Sequence, residues 1–585
     1  MAQHAKKKLG ATLQHDGVEF CVWAPFAKAV SVLINESFTS YETPLENHDG
    51  YWSVKVEKAE AGQLYKYRIT KADDSTVDRN DPYARQLTDS DVGMSIIVDP
   101  HIEWGGIEQP VIPKEKQIIY ELHIGTFHRP DVSTPGTFAS AIEKLDYLKT
   151  LGITMIELMP VTSMATSTGW GYNPIHLFSV ETAYGGRRGL LDFVKATHQR
   201  GIGVILDVIY NHSSGSDLWQ FDGWSENGGG GIYFYNDERG NTPWGSRPDY
   251  GRPEVQQYLL DNVSMWLTEY KIDGLRFDST TYMRNLEGAS ENPATSLPDA
   301  WLLLQNMNLL AHKINPNVVM IAEDSSGNEW ITKTIGEGGA GFDAQWGISF
   351  PEAVRQELGL SHNRNSIKTE LEKYYNGHAF EKVVYGDSHD TAANDGAVRV
   401  NAAATPGNAG SIFARQYGLV ANAITLTAPG IPMILQGNEF MQSGNFNDWQ
   451  QLEWEKTEKF AGIVQAHQHM IDLRLNKHGN TSGLLGESVN VFHHDTDNKV
   501  AAYHRYNGGG RGDDTIVIVN FNDKRFKSYD LTLPIHGEWQ VRFNSSWKGY
   551  SPDFNETHID SVTTDDNGKV SIPLSDYNIL ILSQN

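Results

Sequence analysis

Residues 118–161 read IIYELHIGTFHRPDVSTPGTFASAIEKLDYLKTLGITMIELMPV. An apolar run of strand length opens the segment, the amphipathic stretch TFASAIEKLDYLKTLG (137–152) follows, and TMIELMPV (154–161) returns to strand length. Strand, helix and strand at this spacing make a βαβ unit, and repeating the unit builds a parallel sheet. The alternation continues through RGLLDFVKATHQRG (188–201), VILDVIYNH (204–212), PEVQQYLLDNVSMWLTEY (253–270), DGLRFDST (273–280) and AWLLLQNMNLLAHKI (300–314). It runs on through VVMIAED (318–324), PEAVRQELGL (351–360), KVVYGDSH (382–389), a helix around 410–427, and IPMILQGN (431–438). The pattern predicts an α/β chain folded as a (β/α)8 TIM barrel over about 115–475. The alternative, an open doubly wound sheet, usually carries a Gly-rich phosphate fingerprint after its first strand, and ELHIGTFHRP (121–130) is not one.

Both flanks read as β. Short alternating runs, VEFCVWAP, AVSVLI, YWSVKVE and LYKYRIT, fill residues 18–70 between turn residues, and VFHHD, KVAAYHRY, DTIVIVNF, YDLTL, WQVRF and ILILS fill the chain after about 480. The predicted domains are an N-terminal β-sandwich with a linker (1–112), the barrel (113–478) and a C-terminal β-sandwich (479–585). RNDPYARQLTDSDVG (79–93) has no apolar period and reads as the start of the linker. Residues 213–250, rich in Gly, Asn, Trp and Tyr, interrupt the barrel rhythm after its third strand, where loops belong to the site.

Composition narrows the partners. With 39% hydrophobic and 21% charged residues in 585, the chain is a packed globular protein. Its 48 Lys+Arg against 73 Asp+Glu give a net charge of −25, which repels phosphate backbones and anionic lipid. No nucleic-acid or membrane partner is expected, and neutral ligands are favoured. Cys21 is the one cysteine, so no intramolecular disulfide or thiolate cluster forms, and a cytoplasmic location is expected. The start, MAQHAKKKLG, is basic but lacks the apolar stretch of a signal peptide, and nowhere do about 18 apolar residues run together.

In such a barrel the reactive groups stand where strands end on the C-terminal face. The polar residues there are Asp207, Asn211 and His212 on strand 3, Arg276 and Asp278 on strand 4, Glu323 and Asp324 on strand 5, and Ser388, His389 and Asp390 on strand 7. A lone carboxylate in such a place reads as a helix cap or an ion pair. Four such strands together read as a site. Asp278 and Glu323 lie 45 residues apart, one βα unit, and Glu323 and Asp390 lie 67 apart, two units. Carboxyl groups flanking a scissile bond are what glycosidic cleavage needs, one to protonate the leaving oxygen and one ionised. Arg276, two residues before Asp278, points to the same strand face and supplies a counter-charge.

The segments DVIYNH (207–212), GLRFD (274–278), IAED (321–324) and SHD (388–390) resemble the four ordered signature regions of the α-amylase superfamily of glycoside hydrolases. WGYNP (170–174) is similar to the segment whose tyrosine stacks on the sugar beside the cleaved bond. FCVWAPFAKAVSVLI (20–34), with YKYRI and DPYA, resembles the starch-binding sandwich preceding the barrel in branching enzymes, debranching enzymes and trehalose-releasing hydrolases. The resemblance implies Asp278 as nucleophile, Glu323 as general acid/base and Asp390 as the residue that holds substrate hydroxyls and stabilises the transition state. It assigns Tyr172, Asp207, His212, Arg276 and His389 to substrate binding. The substrate implied is an α-glucan polysaccharide or maltooligosaccharide.

Within the superfamily the chain most resembles 1,4-α-glucan branching enzymes: the sandwich comes first, IAED runs into SSGNEW, and Ser388 stands in SHD where typical amylases carry asparagine. Asn211 and DSTTY (278–282) depart from the branching pattern, so an α-glucan hydrolase, of α-amylase or trehalose-releasing type, is the alternative. A non-catalytic glycan-binding protein on this scaffold would commonly have lost one of the three carboxylates. No cofactor or metal is expected. The asparagine matching Asn211 often ligates calcium in amylases, but Asp217, Asp222 and Asp237 lack EF-hand spacing, and a hydrogen-bonding role is expected for Asn211. His467, His469, His493 and His494 read as surface or core residues, and RGD (511–513) as a polar turn. Trp219, Trp224, Tyr233, Tyr235 and Trp244 are either sugar platforms or loop anchors, while Trp23 reads as core.

Overall fold

A computed structural model describes residues 8–36, 39–89, 93–166, 169–362 and 365–584. The basic start, residues 1–7, lies outside these. Eight parallel strands close a barrel: β1 (Ile119–Leu122), β2 (Met155–Leu158), β3 (Gly203–Val208), β4 (Gly274–Phe277), β5 (Val319–Ala322), β6 (Ala344–Trp346), β7 (Lys382–Tyr385) and β8 (Ile431–Leu435). β8 pairs with β1, Met433 facing Ile119, so no strand edge is left open. Ile119, Met155, Ile205, Ile321, Trp346, Val383, Ile431 and Met433 pack together as one buried cluster inside it. That is the side-chain filling expected of a small barrel. The runs quoted above account for seven of these strands. β6 is only AQW, flanked by GFD and GIS, too short and too polar to stand out as an apolar run.

Helices such as Gly186–Gln199, Pro253–Thr268, Pro298–Ile314 and Ile412–Thr427 cover the outside. Two start with proline at the first helical position, where the missing N–H costs nothing. No helix among the described residues is long and apolar enough to cross a membrane.

The N-terminal domain is two antiparallel sheets, one built around Gly17–Trp23 and Tyr51–Val56, the other around Ala29–Glu36 and Leu64–Thr70. The second sheet also takes in Thr76–Arg79 and the two-residue strand Ser95–Ile96, so part of the expected linker is sheet. Two residues are too few to show a period. The buried Asp81 fixes this stretch by accepting from Tyr65 Oη at 2.7 Å and from the Tyr83 N–H at 2.9 Å. The C-terminal domain pairs a six-stranded sheet with a two-stranded one. The buried guanidinium of Arg505 ties it to the barrel, at a loop that the barrel's own Arg474 also holds. Arg474 donates to the carbonyls of Ala428 and Gly430, and Arg505 to those of Thr427 and Leu484, around the loop that enters β8.

The insertion 213–250 is wedged between the barrel and the N-terminal domain. Phe26 stacks on Trp224 at 4.4 Å, the Phe26 N–H donates to Asp222, and Arg79 donates to the carbonyls of Trp219 and Phe221.

Gly274 opens β4 with no room for a side chain. A Cβ there would stand 2.7 Å from the Val319 carbonyl oxygen and 3.0 Å from Ile205 Cγ1. Gly274→Val should lower stability by about 1–3 kcal/mol, the usual cost of overpacking, read as a lower urea midpoint at unchanged slope.

Candidate active site

The register of the barrel sets the site. Asp207 faces Arg276 across β3 and β4, and Phe277 faces Ala322 across β4 and β5. The ladder runs one step past the strand ends: the Asp278 N–H donates to the Val208 carbonyl at 3.0 Å and the Glu323 N–H to the Phe277 carbonyl at 2.9 Å. Asp278 and Glu323 therefore leave neighbouring strands at the same level. Ser279 then takes a left-handed conformation (φ 39°), and its N–H donates to Glu323 Oε2 at 2.9 Å.

Arg276 is fully buried beneath them. Its Nη1 lies 2.6 Å from Asp207 Oδ2 and 3.1 Å from Asp278 Oδ1, and its Nη2 lies 2.8 Å from Glu323 Oε2. The Trp346 ring lies 4.3 Å from the guanidinium carbon. Tyr172 donates its hydroxyl to Asp207 at 2.6 Å, and Asn211 Nδ2 donates to Asp278 Oδ2 at 2.7 Å. His212 bonds the Tyr172 carbonyl through Nε2 at 2.8 Å and Asn211 Oδ1 through Nδ1.

The β7 side of the site is built on His389. The ring stacks on Tyr172 at 5.0 Å, bonds Glu121 through Nδ1, and approaches Asp390 Oδ1 at 3.3 Å through Nε2. Asn394 Nδ2 donates to the same Asp390 oxygen at 2.9 Å. All eight residues expected at the site, Tyr172, Asp207, His212, Arg276, Asp278, Glu323, His389 and Asp390, are thus joined by contacts in one cluster at the carboxyl ends of the strands.

The electrostatics divide the carboxyl groups. Burial pushes Glu323 up to about 8; Asp278 and Asp390 add to the rise, and Arg276 and the Ser279 N–H oppose it. Burial also raises Asp207, to about 6, against the pull of Arg276. For Asp390 burial acts upward but is overcome by the charge and hydrogen bond of His389, which hold it below the ordinary range. Burial opposes charge on His389 in turn, and Asp390 and Glu121 outweigh it and raise the imidazole well above its ordinary value. Glu323 is thus held protonated at neutral pH while Asp390 is held ionised.

Sequence reading missed Glu121, Glu157, Trp346 and Asn394. Glu121 and Glu157 occupy equivalent places in IYEL and MIEL and face one another across β1 and β2. Burial, with the charge of Glu121, pushes Glu157 well above its ordinary value. A glutamate inside each of two apolar strand runs was the available signal.

The chain matches the alpha-amylase catalytic domain family over residues 119–244 and 245–474. It belongs to the α-amylase family. Residues 8–84 match carbohydrate-binding module 48, the isoamylase N-terminal domain, and residues 491–585 the alpha-amylase C-terminal all-beta domain. The protein is 29% identical to a 1,4-alpha-glucan branching enzyme of Corynebacterium jeikeium over 578 residues, covering 92% of this chain and 77% of the relative. It is likewise 29% identical to a malto-oligosyltrehalose trehalohydrolase of Saccharolobus solfataricus over 462 residues, 75% of this chain and 76% of the relative. Among solved structures, a pullulanase of Anoxybacillus sp. LM18-11 complexed with maltotetraose superposes with a TM-score of 0.78 at 20% identity, covering 99% of this chain and 87% of that one. The protein is therefore an α-amylase-family enzyme acting on α-glucans, with the barrel and flanking β-domains of that fold.

The insertion aromatics sort by burial. Tyr233 and Tyr235 are buried, Tyr233 against Trp23 at 5.5 Å and Tyr235 under Arg239 at 4.4 Å, and both anchor the loop. Trp244 is half-exposed, 5.6 Å from the His212 ring and 4.8 Å from that of Tyr282, and borders the site. Asp217 accepts from Asn80, Asp222 from Phe26 and Asp237 from Arg239. His467 is buried on the Ile463 carbonyl, His469 and His493 bond tyrosine hydroxyls, and His494 bonds Glu357. Asp513 of the RGD turn accepts the Asn507 and Gly508 N–H groups.

Glu323 makes stability depend on pH. Its folded value, about 8, lies above its ordinary 4.5, so between these pH values only the folded state keeps the proton and stability falls as pH rises. Glu323→Gln removes that dependence. The variant should gain on the parent by up to roughly 1.4 kcal/mol per pH unit in this window, with little gain below pH 4.5, read from urea unfolding at each pH.

Proposed function

We propose that this enzyme is a 1,4-α-glucan branching enzyme, which cleaves an α-1,4 bond with retention and passes the chain to a 6-hydroxyl. In this reading the Asp278 carboxylate attacks the anomeric carbon while the bond to the leaving 4-oxygen breaks, and Glu323 gives that oxygen its proton. A 6-hydroxyl then attacks the glycosyl ester, frees Asp278 and returns a proton to Glu323, restoring both groups and the anomeric configuration. Asp390, His389 and His212 hold the sugar hydroxyls, Tyr172 lies against the ring, and Asp207 with Arg276 positions the two reacting carboxyls.

The observation that carries the reading is the shared guanidinium: Arg276 touches Asp278 at 3.1 Å and Glu323 at 2.8 Å, and Glu323 keeps its proton to about pH 8. Transfer to a sugar hydroxyl is supported by alignment to a named branching enzyme over 92% of this chain, against 75% for the trehalohydrolase. Ser388 in DSHD and the sandwich-first order agree with it. Hydrolysis is the second reading, favoured by equal identity to the trehalohydrolase and by Asn211 and DSTTY. The chemistry calls for no metal or cofactor, and the Asn211 amide oxygen that calcium would need faces His212. We place the domain boundaries near 112 and 478 and the site of action in the cytoplasm.

Asp278→Asn and Glu323→Gln should each lower kcat by about 10³-fold or more with the fold retained; near-parental turnover in either would remove these roles. On amylose, branching predicts loss of iodine staining with new α-1,6 linkages and few reducing ends. Reducing ends rising in step with lost staining would replace branching by hydrolysis.

A further inference from the structure

Trp449 is 70% exposed, whereas Trp219, Trp244, Trp330 and Trp547 are 41–46% exposed. Its backbone is nevertheless held firmly. Asn447 Oδ1 accepts from the Trp449 and Gln450 N–H groups at 3.3 and 2.7 Å. The Arg129 guanidinium donates to the Trp449 carbonyl and, in the loop after β1, to the carbonyls of Val132 and Thr134. One arginine therefore staples the loop after β8 to the loop after β1, and an indole is left open to solvent at the staple.

The loop is continuous with the site. The Phe446 N–H donates to the carbonyl of Ala392, two residues beyond Asp390, at 2.9 Å, and the Leu452 N–H donates to Thr126 at 3.1 Å. The Phe446 ring lies 5.5 Å from Trp170 and 6.2 Å from His389. Trp449 thus stands on the rim of the cleft, three residues past a ring that touches the residues around Asp390. Its exposed neighbours Asn445 and Gln450 are neutral amides suited to hydroxyl groups. A flat apolar face with exposed amides beside it, on a fixed loop, fits the face of a pyranose ring.

We propose that Trp449 is a stacking platform for a glucose unit of the α-glucan chain, beyond the sugar held by Asp390, and that it sets preference for longer chains. This rests on the α-glucan reading of the site above. The test uses the full-length Glu323→Gln protein, so that binding is read without turnover and without regard to whether water or a sugar accepts the chain. Maltotriose and maltoheptaose are titrated by calorimetry into this parent and into versions also carrying Trp449→Ala, Trp449→Leu or Trp449→Phe. Loss of the platform should weaken maltoheptaose roughly 5- to 30-fold in the Ala and Leu versions, and more than it weakens maltotriose, with Phe staying within about threefold of the parent. In the active enzyme, Trp449→Ala should raise KM for amylose by a similar factor with kcat little changed. Unchanged maltoheptaose affinity in Trp449→Ala, full retention in Trp449→Leu, or equal losses for both sugars overturns the inference alone. A parent that binds neither sugar overturns the α-glucan reading and this inference with it.

Discussion

Everything in the barrel mouth is arranged around one buried guanidinium. Arg276 is enclosed by protein, and removing such a cation from water is tolerable only where counter-charges stand close to it. Asp207, Asp278 and Glu323 supply them to Nη1 and Nη2 from three consecutive strands, and the Trp346 ring covers the guanidinium face. Each contact requires a particular register: shifting β3 or β5 by one residue against β4 would turn Asp207 or Glu323 to the opposite face. The charge network and the strand register therefore specify each other.

Burial and the same crowding together explain why the acids are unequal. Six carboxyl groups, Glu121, Glu157, Asp207, Asp278, Glu323 and Asp390, gather around two cations, Arg276 and His389. Like charges in low dielectric cannot all remain. Glu157 and Glu323 are pushed upward, while Asp390 is held down by His389. Glu121 acts at one remove: it orients the imidazole through Nδ1, which leaves Nε2 directed at Asp390. A proton available on Glu323 at neutral pH is thus a consequence first of its burial and then of the acids gathered beside it.

The parts legible in sequence were those whose signal is local. Apolar strand runs and amphipathic helices gave the barrel, and polar residues at strand ends gave seven of the eight site residues, because a strand end on the C-terminal face has few other uses; Tyr172 came from the resemblance of WGYNP to its family segment. The missing parts had non-local causes. β6 is short because it needs only three ladder residues between two longer neighbours. Ser95–Ile96 is a strand only because Leu64–Thr70 is there to pair with it. Whether Tyr233 or Trp244 faces solvent depends on the domain packed behind the insertion, which no period encodes.

That packing gives the N-terminal sandwich a part in the site. Phe26 and Arg79 of the sandwich hold Trp224, Trp219 and Phe221, and the insertion they hold carries Trp244 to within 5.6 Å of His212. The Ser213–Ser246 pairing closes the same loop directly after the DVIYNH segment. One wall of the cleft is therefore fixed by contacts to another domain as well as by the barrel. The opposite rim, at Trp449, is fixed within the barrel by Arg129. A long chain lying across both would meet one wall set in part by interdomain contacts and one set within the barrel, so the sandwich can influence chain binding by shaping the cleft itself.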